Sequence, residues 1–272
     1  MTTPTVATLP PYRLGCSPSL PDTRNFAFMA THKPVALPPT MDYRADLPPC
    51  ENQGQEGSCV SFAAGAAYRF ARRRRHGWPR PAVWSDSIHY GALEDFEISF
   101  AVQYWLARKL EGTTASDAGS SIADGVKVLH QYGACAWHNA PYVPGMYAVQ
   151  PPTKAIINAS HHEVAAYYQL DGSTAQLKQA LAQGYLPIIG VVVYNSIFSV
   201  GADGILPMPQ PREAVAGGHA LVVCGFLPDG RFIVRNSWST AYGSNGYIYV
   251  EEAYLNNPQL CFEVWAVSVG SL

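Results

Sequence analysis

The sequence predicts an α+β fold, with a helical lobe first, an antiparallel sheet lobe after it and a cleft between the two. Three observations carry this. Helix-type patterns with stop signals occupy the chain up to Gly184, and period-two or unbroken apolar runs follow. Helices followed by strands, without βαβ alternation, is an α+β order. A chain of 272 residues with 48% hydrophobic residues can also bury a substantial core.

Residues 1–36 differ from the rest. Leu9-Pro10-Pro11-Tyr12 and Ser17-Pro18-Ser19-Leu20-Pro21-Asp22 have no periodicity, and their prolines favour extended or turn-rich backbone over a long helix. The expected organisation is an extended N-terminal segment, 1–36, ahead of a two-lobed domain, 37–272. A helix is predicted over 58–75, capped by Ser58, filled by Ala and Gly, and stopped by Gly77. Arg72 to Arg75 fall in its last turn, where cations complement the helix dipole, and read as a solvated helix end. Further helices are predicted over 85–95, 98–110 and 121–131. Another starts at Ser173, where Ser173 and Gln176 form a capping box, and stops at Gly184. Strands are predicted over 187–194, 219–226, 231–235, 246–250 and 262–269, and no internal repeat is found.

Composition excludes several functions. Charged residues make up 14% and net charge is −2, so no global field draws the chain to nucleic acid or an anionic membrane. No apolar run reaches the about 18 residues of a membrane span. Met1 to Leu14 lacks the basic and apolar regions of a secretory leader, which points to the cytoplasm or to export by another route. The 22 prolines and 23 glycines suit long connections and a loop-built cleft. Of six cysteines (16, 50, 59, 135, 224, 261), five remain if Cys59 is a nucleophile. That number fits a disulfide framework badly, so reduced structural thiols are expected, with Cys224 as a buried strand residue. Cys135 with His138, and His161-His162, do not have metal-ligand spacing, so neither a metal nor another cofactor is expected.

The chemistry concentrates around Asn52-Gln53-Gly54-Gln55-Glu56-Gly57-Ser58-Cys59. A cysteine at a helix N-terminus meets unpaired N–H groups and the positive end of the dipole, which favour a thiolate. Gln53, across a glycine-rich turn, is a candidate amide donor to an oxyanion. Downstream, the strands at 219–226 and 231–235 are joined by Leu227-Pro228-Asp229-Gly230, a strong turn signal. Folding that hairpin brings His219 and Asn236 within side-chain reach, so that Asn236 can fix the imidazole tautomer. These are the parts of a nucleophile, an oxyanion donor, a base and a group that orients the base.

In combination these blocks resemble the papain family of cysteine peptidases. The resemblance rests on Asn-Gln-Gly…Gly-Ser-Cys, on Gly-His-Ala-Leu-Val-Val-Cys-Gly, and on Asn236-Ser237-Trp238 with Tyr242-Gly243-Ser244-Asn245-Gly246-Tyr247. Leu37-Pro38-Pro39-Thr40-Met41-Asp42-Tyr43-Arg44 resembles the start of a mature domain of that family. The likeness implies a papain-like two-lobe fold, with Cys59 as nucleophile, His219 as base and acid, Asn236 as orienting group, Gln53 as oxyanion donor and Trp238 as a shield for the Asn–His hydrogen bond. It also implies substrate-binding roles for Gly119 and Ser120, and a pocket lined by Ile122, Val191, Gly217 and Ala266 that prefers an apolar side chain. Glu56 stands where the family has a disulfide cysteine and Val60 where it has an aromatic residue. Absent family disulfides favour a bacterial branch.

The expectation is thus a monomeric cysteine endopeptidase, acting on peptide or protein substrates through an acyl-thioenzyme. Residues 1–36 are expected to lie over the cleft as a proregion, with a Cys16–Cys59 redox lock as a less favoured variant. Alternatively the segment packs away from the cleft. Exopeptidase, transpeptidase or amidase chemistry on the same fold, with the 201–216 loop restricting access, is the second reading. A non-catalytic binding protein is the third.

Overall fold

The computed structural model describes residues 12–77 and 97–270. In chain order the elements are β1 (Cys16–Ser17), α1 (Phe28–Thr31), β2 (Met41–Asp42), α2 (Cys59–His76), α3 (Phe100–Glu111), β3 (Ser120–Ser121), α4 (Ile122–Gln131), α5 (Thr153–Ala159), β4 (Ala166–Leu170), α6 (Thr174–Ala182), β5 (Ile188–Tyr194), β6 (Val215–Phe226), β7 (Phe232–Arg235), β8 (Tyr247–Val250), α7 (Glu252–Leu255) and β9 (Cys261–Ser268). Helices α2 to α4 form one half. An antiparallel sheet in the order β4-β9-β5-β6-β7-β8, with β2 added on β6, forms the other.

Helix α2 lies between the halves and is buried through most of its length. Its small residues make that possible. A Cβ at Gly65 would sit 2.6 Å from Ile98 Cδ1 and 2.8 Å from the Phe100 ring, so glycine lets the start of α3 press against the helix backbone. One continuous core then joins α2 and α4 to the inner face of β5, β6, β7 and β9. Gly77 ends α2 in the left-handed conformation at φ 61°, as the sequence predicts.

Some expectations need correction. Ser58 makes no side-chain cap on α2; its hydroxyl bonds the Tyr142 hydroxyl at 2.8 Å instead. The arginine run is only half solvated: Arg72 and Arg73 are buried, Arg72 bonding the Tyr68 hydroxyl at 2.8 Å and Arg73 pairing with Asp46 at 2.8 Å. Strand β6 starts at Val215, so His219 lies inside it and not at its start. Ser173 does cap α6, accepting from the Gln176 amide at 3.2 Å, but the Gln176 side chain accepts from the Asp171 amide, not from Ser173. Helix α5 and edge strand β4 were not predicted. The first is two turns long and the second alternates weakly, so neither presents a full period. The helix predicted over 85–95 lies outside the described residues.

The N-terminal run is not one unit. Residues 12–19 lie along the groove between the halves, described below. Residues 25–35 pack on the outer sheet. There Phe28 is fully buried, His32 stacks on it and meets the Tyr185 hydroxyl at 2.9 Å, and Val35 exchanges two hydrogen bonds with the Gln179 side chain. Burying one phenylalanine stabilises by about 1.5–3 kcal/mol, and these contacts are separate from those in the groove.

Candidate active site

Cys59 opens α2 at the floor of the groove and is fully buried. Burial pushes its thiol up to about 11, although the amides of Ala220 and Gly15 face the sulfur and pull the other way. Gln53 is held from both ends. Its Oε1 accepts from the Ser237 hydroxyl at 2.5 Å, its amide donates to the Ser237 carbonyl at 2.9 Å, and its own carbonyl accepts from the Tyr142 hydroxyl at 2.8 Å. Its Nε2 is thereby aimed into the groove. The turn that carries Gln53 is anchored by Glu51, which pairs with Arg69 and, at 2.6 Å, with Arg235. Burial raises the Glu51 carboxyl, but the two guanidiniums outweigh it and hold the group low.

His219 Nε2 lies 2.8 Å from Asn236 Oδ1, as the hairpin argument requires. That oxygen also accepts from the Ser237 amide at 2.8 Å, so it is an acceptor and Nε2 carries the proton. The lone pair of the neutral ring is then on Nδ1, which has no hydrogen-bond partner among the described residues. Burial depresses the imidazole to about 4, although Asn236 raises it. Trp238 stacks on the imidazole with centroids 4.7 Å apart and is itself fully buried, which keeps water from the His–Asn bond. Tyr242 meets the Trp238 ring edge-on at 4.8 Å.

The groove is filled by the chain's own N-terminal run. Tyr12 stacks on Trp238 at 4.5 Å with the planes 3° apart. The Arg13 carbonyl accepts from Gln53 Nε2 at 3.0 Å, and its guanidinium pairs with Asp117 at 2.8 Å. The Gly15 carbonyl accepts from the Ser120 amide at 2.8 Å, and β1 pairs in parallel with β3, Cys16 opposite Ser120. Gly119, at φ 76°, has no room for a Cβ because the Gly15 carbonyl is there, and a Cβ on Gly217 would touch Leu14. The structure therefore brings Cys59, Gln53, His219, Asn236, Trp238, Gly119, Ser120 and Gly217 to one groove. Ile122 and Val191 are buried beside it, with Val191 opposite His219 in the sheet register. Ala266 is not brought there; it lies opposite Tyr168 at the far side of β9, while Val191 faces Cys261.

Residues 102–264, a span that holds His219 and Asn236, match the papain family cysteine protease model. The chain belongs to the papain family of cysteine peptidases. An uncharacterized peptidase C1-like protein of Acanthamoeba polyphaga mimivirus is 30% identical over 260 residues, covering 90% of this chain and 79% of that protein. Among solved structures, xylellain, a cysteine protease from Xylella fastidiosa, superposes with a TM-score of 0.79 at 28% identity, covering 95% of this chain and 96% of that one. That likeness agrees with the bacterial-type branch expected from the missing cysteines. Digestive procathepsin L 3 of the Tenebrio molitor larval midgut shares the fold at a TM-score of 0.68, with 18% identity over 90% of this chain and 73% of that one. The papain-like α+β fold expected from the sequence is thus the fold of this peptidase.

Sequence reasoning missed several residues of the papain-family groove. Ser237, Tyr142 and Glu51 hold Gln53, and Asp117 accepts from the Gly57 amide at 2.9 Å just ahead of the cysteine. Only Ser237 carried a signal, through its place between Asn236 and Trp238. All six cysteines are free thiols, Cys16 and Cys59 included. No group of three or more metal-ligating side chains occurs among the described residues, and none of their helices is long and apolar enough to cross a membrane.

Proposed function

We propose that this papain-family peptidase is an endopeptidase whose nucleophile is Cys59 and whose base and acid is His219. Asn236 orients the imidazole, and Gln53 donates to the oxyanion. Proton transfer from the thiol to Nδ1, attack on the scissile carbonyl and return of the proton to the leaving amine complete the acylation half-cycle. Water then releases the acyl group from the thioester. Gly119, Ser120, Ile122, Val191, Gly217 and Trp238 bind substrate. The observation that carries this reading is the Gln53 Nε2 to Arg13 carbonyl bond of 3.0 Å. A peptide carbonyl already rests on the proposed oxyanion donor, which is where a scissile carbonyl would polarise.

The same run supports the endopeptidase type. It passes Cys59 on both sides, from Tyr12 on Trp238 to Ser17 beside Ser121, so a chain can enter and leave the groove. It also supports a regulatory role: while residues 12–19 are seated, no substrate carbonyl can reach Gln53. The proposed division of the chain remains a segment 1–36 ahead of a peptidase domain 37–272, acting as a monomer on peptide or protein substrates.

The test is intact-mass labelling with a papain-directed epoxide, on the full chain and on a form starting at Asp22 that keeps the Phe28 anchor. Cys59 should be modified in both, roughly tenfold or more faster in the shortened form. Equal rapid labelling would keep the peptidase and remove the block. No labelling of either would sink the catalytic assignment.

A further inference from the structure

Residues 12–19 bring one charged side chain into the groove, Arg13, and the groove meets it with a carboxylate. Asp117 Oδ2 lies 2.8 Å from Arg13 Nε, and the Asp117 backbone carbonyl accepts from the same guanidinium at 3.2 Å. The carboxylate is fixed from its other side. Its Oδ1 accepts from the Tyr104 hydroxyl at 2.5 Å and from the Gly57 amide at 2.9 Å. The Tyr104 hydroxyl in turn accepts from the Gly119 amide at 3.0 Å. Tyr104 is fully buried and the Asp117 side chain is 8% exposed, whereas the Arg13 side chain is 52% exposed. The acid therefore belongs to the folded groove, and the base enters with the run.

Neighbouring charges do not take the place of Arg13. The Arg108 guanidinium stands 4.0 Å from the Tyr104 ring centroid and donates to the carbonyls of Thr114, Ser116 and Tyr147. Glu56, at the position where the family has a disulfide cysteine, accepts from the Gly145 amide at 2.8 Å. When residues 12–19 leave, Asp117 Oδ2 loses its cation while Tyr104 and Gly57 still hold Oδ1. A carboxylate oriented in this way offers a charge-assisted hydrogen bond to an arginine or lysine. The substrate position follows from the same residue. The Arg13 carbonyl accepts from Gln53 Nε2 at 3.0 Å, so one residue bridges the oxyanion donor and the carboxylate. A substrate residue that places its carbonyl on Gln53 has its side chain within reach of Asp117.

We propose that Asp117 is a specificity-determining residue, selecting Arg or Lys at the substrate residue that contributes the scissile carbonyl. The assignment rests on the peptidase reading above, and it concerns a different side chain from the one the apolar pocket takes. A carboxylate that accepts from Gly57 and Tyr104 can instead serve only to hold the turn ahead of Cys59. That structural role predicts no dependence of substrate choice on charge.

The test uses the full chain and two peptidyl fluoromethyl ketones that differ only in carrying Arg or citrulline, its neutral isostere, beside the reacting carbonyl. The rate of Cys59 modification by each is read from intact mass; slow entry past the N-terminal run affects both and cancels in the ratio. Wild-type protein should react on the order of fivefold faster with the Arg probe, the effect of one half-exposed ion pair. Added salt should shrink that ratio, and Asp117→Asn, which keeps an oxygen for the Gly57 amide, should bring it to about one. Equal wild-type rates overturn the proposal and leave the peptidase standing. So does a ratio that Asp117→Asn leaves unchanged. The wild-type comparison stands even if the variant fails to fold. Modification by neither probe rejects both the assignment and the catalytic reading beneath it.

Discussion

His219 and Cys59 are stored uncharged. Burial depresses the imidazole to about 4 and lifts the thiol to about 11, so over neutral pH the groove holds a neutral ring and a protonated sulfur. An ion pair between them needs the water or substrate that the N-terminal run now excludes. Gln53 differs, because its donor geometry exists already and is enforced by Ser237, Tyr142 and the Glu51 pairs. Replacing it, Gln53→Ala, in the form that starts at Asp22 should lower kcat by about 10²–10³ with KM little changed, the usual cost of one oxyanion donor. Steady-state kinetics on a peptide substrate would check this, and an unaltered kcat would remove Gln53 from the mechanism. Both the pairing of His219 with Asn236 and the position of Gln53 were legible in the sequence. Each depends on a short connection, the 227–230 turn or the run from Asn52 to Cys59. The supports of Gln53 were not legible, since Tyr142 and Glu51 reach it only through folding.

Among the elements, β1 and the glycines it crosses decide whether the groove is open. A Cβ on Gly218 would collide with the Cys16 carbonyl oxygen, while Gly218 itself is not among the glycines with positive φ. Gly218→Ala should therefore spare β6 and unseat β1. Cys59 of the full chain should then react about tenfold faster with a small thiol reagent. An unchanged rate would mean that the run does not lie across Gly218 in solution. The longer elements were readable from local signals, α2 and α6 from capping and stop residues and β5 from its apolar run, as was β9 apart from its exact ends. Strands β1 and β3 are two residues each and exist only because each supplies the other's hydrogen bonds, so no local pattern marks them.

At the scale of the whole molecule, closing the groove is coupled to protons. His219 has its pKa depressed from 6.5 to about 4 when buried. Relative to a ring fully exposed to water, the buried imidazole resists protonation as pH falls from 6.5 towards 4, so acid favours exposure of the ring and weakens closure, by at most on the order of 3 kcal/mol. Cys59 acts at the other end: its pKa is raised from 9.0 to about 11, so closure is lost as pH rises across that interval. Opening of residues 12–19 should therefore pass through a minimum between pH 6.5 and 9. Deuterium exchange of that segment, corrected for the intrinsic pH dependence of amide exchange, would show it. A pH-independent opening equilibrium would contradict the burial of both groups.

The sequence by itself determined the order of helices before strands, the central small-residue helix that begins at Cys59, and the hairpin that carries His219 to Asn236. These follow from periodicity, turn residues and short loops, which act locally. Only the tertiary structure decided that Arg13 presents its carbonyl to Gln53, that Phe28 anchors the segment behind it, and that Ala266 lies away from the groove. Those outcomes depend on contacts between residues 40 or more positions apart, and on a strand register that a bulge between Gly190 and Val191 shifts. No local rule reports a register set by packing across the whole sheet.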